Sequence, residues 1–306
     1  MTTVTASMVK DLRDKTGAGM MDCKSALTET AGDMEAAIDW LRKKGLSKAA
    51  KKAGRVAAEG LVGVVSHGNI GALVEVNAET DFVARNDEFK TFVKDAAAAA
   101  LKAEGDIEKL LAHPADEGSM KDRLTALVAK IGENMSVRRA VMLAVTEGVV
   151  ASYVHNAAAP ELGKIGVLVA VKSSGDKDKL TALGKQIAMH IAAASPLALT
   201  ADHLSKDVID RERAIHADIA RQSGTAEQFI EKKIEGRMRK FYEESVLMSQ
   251  VFVIDGETPI AKVVEKASKD LGTPVAIEGF VRFQVGEGIE KVESDFADEV
   301  SKMAGN

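Results

Sequence analysis

A chain of 306 residues with 46% hydrophobic content is long enough to bury a sizeable core, and its length points to about two domains or one domain with appendages. Its 46 acidic residues outweigh 41 basic ones for a net charge of −5, a balance that argues against nucleic acid as the main partner. The longest apolar runs, such as Gly166 to Val171, fall far short of the ~20 residues that span a bilayer, and the N-terminal stretch lacks a charged region followed by an apolar signal core. The expectation is a cytoplasmic protein with no membrane contact, whose partner is another protein or a small molecule.

The chain opens as a compact helical head. "ASMVKDLRDKTG" places Met8, Val9 and Leu12 on one helical face and stops at Gly17. "MMDCKSALTETAG" supplies a second short helix, in which Cys23, the single cysteine, reads as a small packing residue and excludes an intrachain disulfide. "DMEAAIDWLRKKG" begins with a cap at Asp33, aligns Met34, Ile38 and Leu41, and stops at Gly45. Residues 43–60, rich in Lys and Ala, read as a solvated helix that frays into a linker arm. The arm has no aromatics to stack on bases, so a nucleic-acid contact there would rest on Lys48, Lys51 and Lys52 and be steeply salt-dependent.

An internal duplication follows. One copy starts "EGLVGVVSHGNIGALVEV" at Glu59, the other "EGVVASYVHNAAAPELGKIGVLVAV" at Glu147. Each reads as strand, turn with a histidine, strand, loop and Ala-rich helix, which makes two related α+β halves with helices over a small antiparallel sheet. The loops between second strand and helix differ. The second copy has the polar "KSSGDKDKL"; the first has "NAETDFVARNDEF", with an aromatic at its mouth. Thr80 or Asp81 can cap the helix that runs on through Phe89, Phe92 and Val93, with Phe82 as a hydrophobic staple. The second copy shows that a turn needs no such aromatic, so a role beyond capping stands beside that reading.

Further along, "SKDVIDRERAIHADIARQSGTAEQFIEKKIEGRMRKFYEES" reads as two charged helices meeting near "QSGT", a helical hairpin. "QVFVID" and "VAIEGFVRFQVGEG" read as strands, the latter placing Val275, Ile277, Val281, Phe283 and Val285 on one face. "ESDFADEV" reads as a final acidic helix. Histidines 67, 113, 155, 190, 203 and 216 never adopt a metal-ligand spacing, His190 reads as a packed core residue, and no phosphate-loop or dinucleotide motif is complete. No metal, no cofactor and no nucleophile with its base are expected.

These segments resemble the bacterial elongation factor Ts family. Its loop motif, Thr-Asp-Phe-Val-Ala followed by a basic residue, is matched in order by Thr80, Asp81, Phe82, Val83, Ala84 and Arg85. "LRDKTGAGMMDCKSAL", "VAKIGENMSVRR", "IAMHIAAASPLALT", "IEGRMRKFYEE" and "GFVRFQVGEGIEKVESDFADEV" are similar to further family segments in the right order, so the likeness covers essentially the whole chain. One departure is "HNAAAPELGKIG" after Tyr153, which reads as longer than the family's short turn and bears on the contacts of His155.

The resemblance implies a guanine-nucleotide exchange factor for the GTPase elongation factor Tu, not an enzyme that makes bonds. Thr80, Asp81, Phe82 and Val83 would form a wedge entering the G domain beside its magnesium site. Leu12, Met20, Met21 and His155 would supply further partner contacts. A ten-thousand-fold faster release needs about 5.5 kcal/mol of differential binding, against ~2 to 3 kcal/mol from one buried aromatic, so several contacts must share the work. The implied fold is α+β. A ubiquitin-associated-like three-helix head and linker (1–55) precedes two duplicated subdomains (56–140 and 141–275). A helical hairpin is inserted at about 200–238, with homodimer formation as one of its roles, and a strand and helix module (276–306) ends the chain. A second reading keeps the head as a docking module on a non-catalytic, chaperone-like scaffold.

Overall fold

A computed structural model describes residues 4–290 apart from 17, 117 and 225, with the backbone but not the side chains of Leu46 and Lys48. The helix stop at Gly17, the Lys48 contact and the terminal acidic helix therefore lie outside the described residues. Helices α1 (Ala6–Thr16), α2 (Met20–Glu29) and α3 (Met34–Lys52) come first, then strands β1 (Glu59–His67) and β2 (Ile70–Ala78). Helices α4 (Asp87–Lys102) and α5 (Ile107–Ala112), the short pair β3 (Pro114–Ala115) and β4 (Gly118–Ser119), α6 (Met120–Ile131) and β5 (Met135–Ala144) follow. The rest runs β6 (Gly148–Ala159), β7 (Leu162–Lys172), α7 (Lys177–Ala194), α8 (Lys206–Gln222), α9 (Glu227–Ser245), α10 (Ile260–Leu271) and β8 (Ala276–Gln284). Both copies of the duplication are present as hairpin plus helix, β1–β2–α4 and β6–β7–α7. Hydrogen-bonded strand neighbours follow the order β5-β2-β1-β7-β6, with β8 also on β7.

The chain divides into two compact units. The first holds the described residues of Met1–Gly63, Val74–Ala140 and Gln284–Asn306. Its head packs Leu12, Cys23, Ala26, Leu27 and Ala37 into a small core beneath Met34, Ile38 and Leu41. Burial pushes the Cys23 thiol above its ordinary range, which keeps it protonated and inert. Asp33 caps α3 as expected, its Oδ1 accepting from the Ala36 amide at 2.9 Å. The expected stop at Gly45 is absent: α3 continues to Lys52. A Cβ at Gly45 would stand 3.2 Å from the Ala129 Cβ, so this glycine permits close approach to α6 rather than ending a helix. Lys52 Nζ donates to the Gly132 carbonyl at the end of α6. The helical part of the supposed arm is thus packed, while residues 53–56 beyond it are exposed and non-helical before β1 begins. Opposite α3, α6 starts at a capping box in which the Asp122 amide donates to Ser119 Oγ and the Ser119 amide to Asp122 Oδ2.

The second unit, Val64–Leu73 with Val141–Phe283, is built on the β6–β7 ladder, registered from Gly148 opposite Lys172 to Ala159 opposite Leu162. The longer second hairpin is therefore a longer ladder closed by Pro160 and Glu161, with an irregularity between Ala157 and Ala159, and not a longer loop. Helix α7 lies on this ladder so closely that a Cβ at Gly184 would fall 2.5 Å from the Ala151 Cβ. Val167, Val169, Val171, Leu180, Ile187 and Leu247 form the core below it. The run Gln250 to Asp255, expected as a strand, makes only an isolated bridge, Val251 to Pro259. Asp255 Oδ1 accepts from the Glu257 and Thr258 amides, closing a turn that competes with extension, and Pro259 has no N–H to continue a ladder. Strand β8 is found as expected, with Ile277 and Phe283 buried. The helical hairpin α8–α9 closes over Ala220, Ile230, Ile234 and Met238.

His190 is buried in this unit with no exposed surface, beside the buried polar Gln250. Its Nδ1 accepts from the Val253 amide at 3.3 Å, so the proton sits on Nε2 and is donated to Gln250 Oε1 at 2.9 Å. Burial holds the imidazole pKa below its ordinary value, against the smaller opposing effect of the Gln250 bond. A lowered folded pKa means that the neutral ring contributes its full stability above the unfolded pKa of about 6.5 and loses it as the pH falls toward the folded value. Urea denaturation is expected to show stability declining below about pH 6.5. His190→Leu, less stable at pH 8, is expected to lose that component of the slope; an unchanged slope would contradict the assignment.

Candidate partner-binding loop

Strand β2 is buried along nearly its whole length, from Gly71 to Ala78, and two of the buried residues are polar, Glu75 and Asn77. Glu75 has no exposure, and a carboxylate there is tolerable only if it is paired and hydrogen-bonded. Arg138 Nη1 donates to it at 3.1 Å, Arg139 Nε at 2.5 Å and the Gly286 amide at 2.8 Å. Asn77 Nδ2 adds a bond at 3.1 Å.

Beyond Ala78 the ladder ends and the chain turns through Glu79 to Phe82. Thr80 is fixed twice by one carboxylate: its amide donates to Glu133 Oε2 at 3.0 Å and its hydroxyl to Oε1 at 2.7 Å. Glu79 Oε1 accepts the Asn134 amide at 2.5 Å, and Asn134 Nδ2 donates to the Arg55 carbonyl at 2.7 Å. A single 3₁₀ turn then spans Val83–Arg85. Val83 and Ala84 tuck inward at 3% and 5% exposure, while Phe82, one residue earlier, is 72% exposed. Asp81 is also exposed, 3.5 Å from Arg85 Nη2, and the Arg85 guanidinium stands 5.8 Å from the centroid of the Phe82 ring.

The expected cap and staple are not there. The 3₁₀ turn moves the start of α4 downstream, and Asn86 caps it, its Oδ1 accepting from the Glu88 and Phe89 amides at 2.9 and 3.1 Å. Phe82 packs against no helix start. The loop instead presents an aromatic face and a carboxylate to solvent from a fixed base.

The other expected contact residues divide. Met20 and Met21 are 58% and 71% exposed at the start of α2, where adaptable thioether chains suit a partner surface. Leu12, expected as a partner contact with core packing as the equal alternative, is fully buried in the head core. His155 is exposed on β6 in the second unit, its Nδ1 3.1 Å from Tyr153 Oη. Sequence reasoning overlooked Glu75, Glu79, Glu133, Asn134, Arg138 and Arg139. Their signal was a charged residue inside an apolar strand and an Arg-Arg pair able to answer it. It also overlooked the apolar Val253 and Ile254, each 49% exposed. Among the described residues no helix is long and apolar enough to cross a membrane, and no group of His, Cys, Asp or Glu is placed to hold a metal ion.

Exposure of this degree makes a prediction about stability. Phe82→Ala is expected to change the urea midpoint by less than about 0.5 kcal/mol, whereas Phe89→Ala in the core is expected to cost about 3 to 5 kcal/mol. A large loss for Phe82→Ala would mean that the ring is packed.

Comparison with known proteins matches residues 79–287 to a family model described as elongation factor TS. Curated relatives agree over nearly the whole length. The elongation factor Ts of Rhodospirillum rubrum is 61% identical over 304 residues, covering 98% of each chain. That of Parvibaculum lavamentivorans is 60% identical over 306 residues, 99% of each. That of Rhodospirillum centenum is 60% identical over 307 residues, 100% of each.

Proposed function

The chain belongs to the elongation factor Ts family and is a translation elongation factor; on that premise we propose that it binds elongation factor Tu carrying GDP and promotes GDP release, so that GTP can load. The observation that carries this reading is the exposed Phe82 directly before two buried residues, Val83 and Ala84. A GTPase holds GDP through a phosphate-cradling loop and a magnesium ion, and loosening either lowers its affinity. An exchange factor must bind the nucleotide-free state better than the nucleotide-bound state, and by linkage each ligand then weakens the other. No bond is made or broken.

Phe82 supplies rigid volume for such a wedge, and burying its ring contributes about 2 to 3 kcal/mol. Asp81 brings a negative charge toward the magnesium and phosphate site, with Arg85 balancing that charge in the free protein. Val83 holds the turn from below and Thr80 from behind. Met20 and Met21 supply docking area on the same unit, and His155 a contact from the second. The setting for this exchange is the cytoplasm, with neither nucleic acid nor membrane contacted directly. The exposed Ile215, Ile219 and Phe229 of the helical hairpin support self-association as a further property. Sedimentation is expected to show a concentration-dependent dimer; a monomer throughout would overturn it.

The test of exchange is the release rate of a fluorescent GDP analogue from elongation factor Tu. Wild type is expected to speed release, and Phe82→Ala to give about 30- to 160-fold less acceleration, the kinetic equivalent of ~2 to 3 kcal/mol. If wild type leaves release unchanged, the exchange reading falls.

A further inference from the structure

We propose that Glu133 is the positioning residue of the exchange loop, acting through Thr80 to hold Asp81 and Phe82 in the geometry that engages the GTPase. The inference rests on the exchange reading above and adds to it a residue 53 positions away in sequence. One carboxylate takes both donors that Thr80 offers, its amide at 3.0 Å and its hydroxyl at 2.7 Å. Such charge-assisted, two-point bonding fixes orientation as well as distance. The contact is reciprocal, because Glu79 in turn accepts the Asn134 amide at 2.5 Å. The dipeptides Glu79-Thr80 and Glu133-Asn134 therefore lock each other.

Glu133 is itself held in place. It follows Gly132, whose φ of +88° ends α6 in a left-handed conformation that a side chain would strain. The Gly132 carbonyl accepts from Lys52 Nζ, and Asn134 Nδ2 reaches the Arg55 carbonyl. The loop needs this support because Glu79 to Phe82 lie between the end of β2 and the 3₁₀ turn, outside the ladder and the helix alike. On one side buried Val83 and Ala84 anchor Phe82; on the other the anchor is Thr80 on Glu133.

Loss of a positioning residue has a signature different from loss of the wedge. Without the clamp only a fraction of molecules presents Phe82 correctly, and apparent affinity falls by that fraction. Once the complex forms, the ring is intact and displaces nucleotide as before. Removing the ring does the opposite, leaving the base in place and lowering the saturated rate.

The experiment measures GDP-analogue release from elongation factor Tu against concentration of wild type, Glu133→Ala, Glu133→Gln, Thr80→Val and the Glu133→Ala/Thr80→Val double variant. Glu133→Ala is expected to raise the half-saturating concentration about tenfold, as for a lost charged hydrogen bond, with the plateau held. Glu133→Gln should recover part of the loss, since its amide can accept from the Thr80 N–H and donate to the hydroxyl oxygen. In the Thr80→Val background, which keeps the amide and lacks the hydroxyl, the effect of Glu133→Ala should shrink. Amide exchange in the free chain should show Thr80 losing protection while Leu73 in β2 keeps it, which separates a loosened loop from a damaged fold. If wild type is active and Glu133→Ala matches it, or lowers the plateau alone, the positioning role is overturned while the exchange reading stands. If wild type fails to speed release, the exchange reading falls and the role of Glu133 with it. Should Glu133→Ala not fold, Glu133→Gln and Thr80→Val carry the same test: a wild-type half-saturating concentration in both overturns it.

Discussion

A carboxylate closed off from water at Glu75 is the constraint around which the first unit is arranged. Two guanidiniums and a backbone amide must converge on it, since an unpaired charge in that position would cost several kcal/mol. Strand β5 brings Arg138 and Arg139, and the segment after β8 brings Gly286. The arginines are then tied onward, Arg138 Nη2 to the Glu287 carbonyl at 2.7 Å and Arg139 Nη2 to the Gln284 carbonyl at 3.1 Å. Gly286 has no substitute here, because a Cβ would fall 2.2 Å from the Ala58 carbonyl oxygen. A one-residue slip of β2 would carry Glu75 to the opposite face and leave the guanidiniums without their anion. The network therefore sets the register of β2, and the register sets where Glu79 to Phe82 leave the strand.

An exposed apolar side chain is ordinary on a protein surface, so exposure alone says little about Phe82. What marks Phe82 is that the loop is held on both sides of it. Val83 and Ala84 already fill the space beneath the turn, and Thr80 is bonded at both its donors. Met20 and Met21 are exposed in a different sense, on unbranched chains that fit many surfaces. The first unit thus offers a rigid contact and an adaptable one.

The duplication was legible in the sequence because it rests on local signals: alternating Val, a turn, a second apolar run and an Ala-rich helix. The misreadings share a cause. A glycine that ends a helix and one that lets two helices approach look alike in one dimension, and only Ala129, 84 positions on by residue number, tells them apart at Gly45. Thr80 and Asp81 have the chemistry of caps, but an intervening 3₁₀ turn gives that task to Asn86. Leu12 lies on the face that α2 and α3 cover, so its motif position conceals a core role. Strand β5 went unread because "NMSVRRAVMLAV" has no clean alternation, its arginines being placed by the need of a distant carboxylate. Glu133 was equally hidden, since nothing within a helical turn of it indicates Thr80.

The two copies show why the loop could be singled out while its support could not. In the second copy the turn is closed mainly by near neighbours. Ser173 Oγ accepts the Gly175 amide at 3.1 Å and Asp176 Oδ1 the Lys179 amide at 2.9 Å, while Ser174 reaches the distant Thr273 hydroxyl. Those residues are the ones a strand-to-helix turn calls for, and their sequence explains itself. In the first copy Asn86 meets the local need, and Thr80, Asp81 and Phe82 are left over. Residues beyond what a turn requires are visible in sequence as an excess of chemistry. The partners that restrain them are visible only in three dimensions, because holding a loop outward takes bonds from an element that the turn itself does not contain.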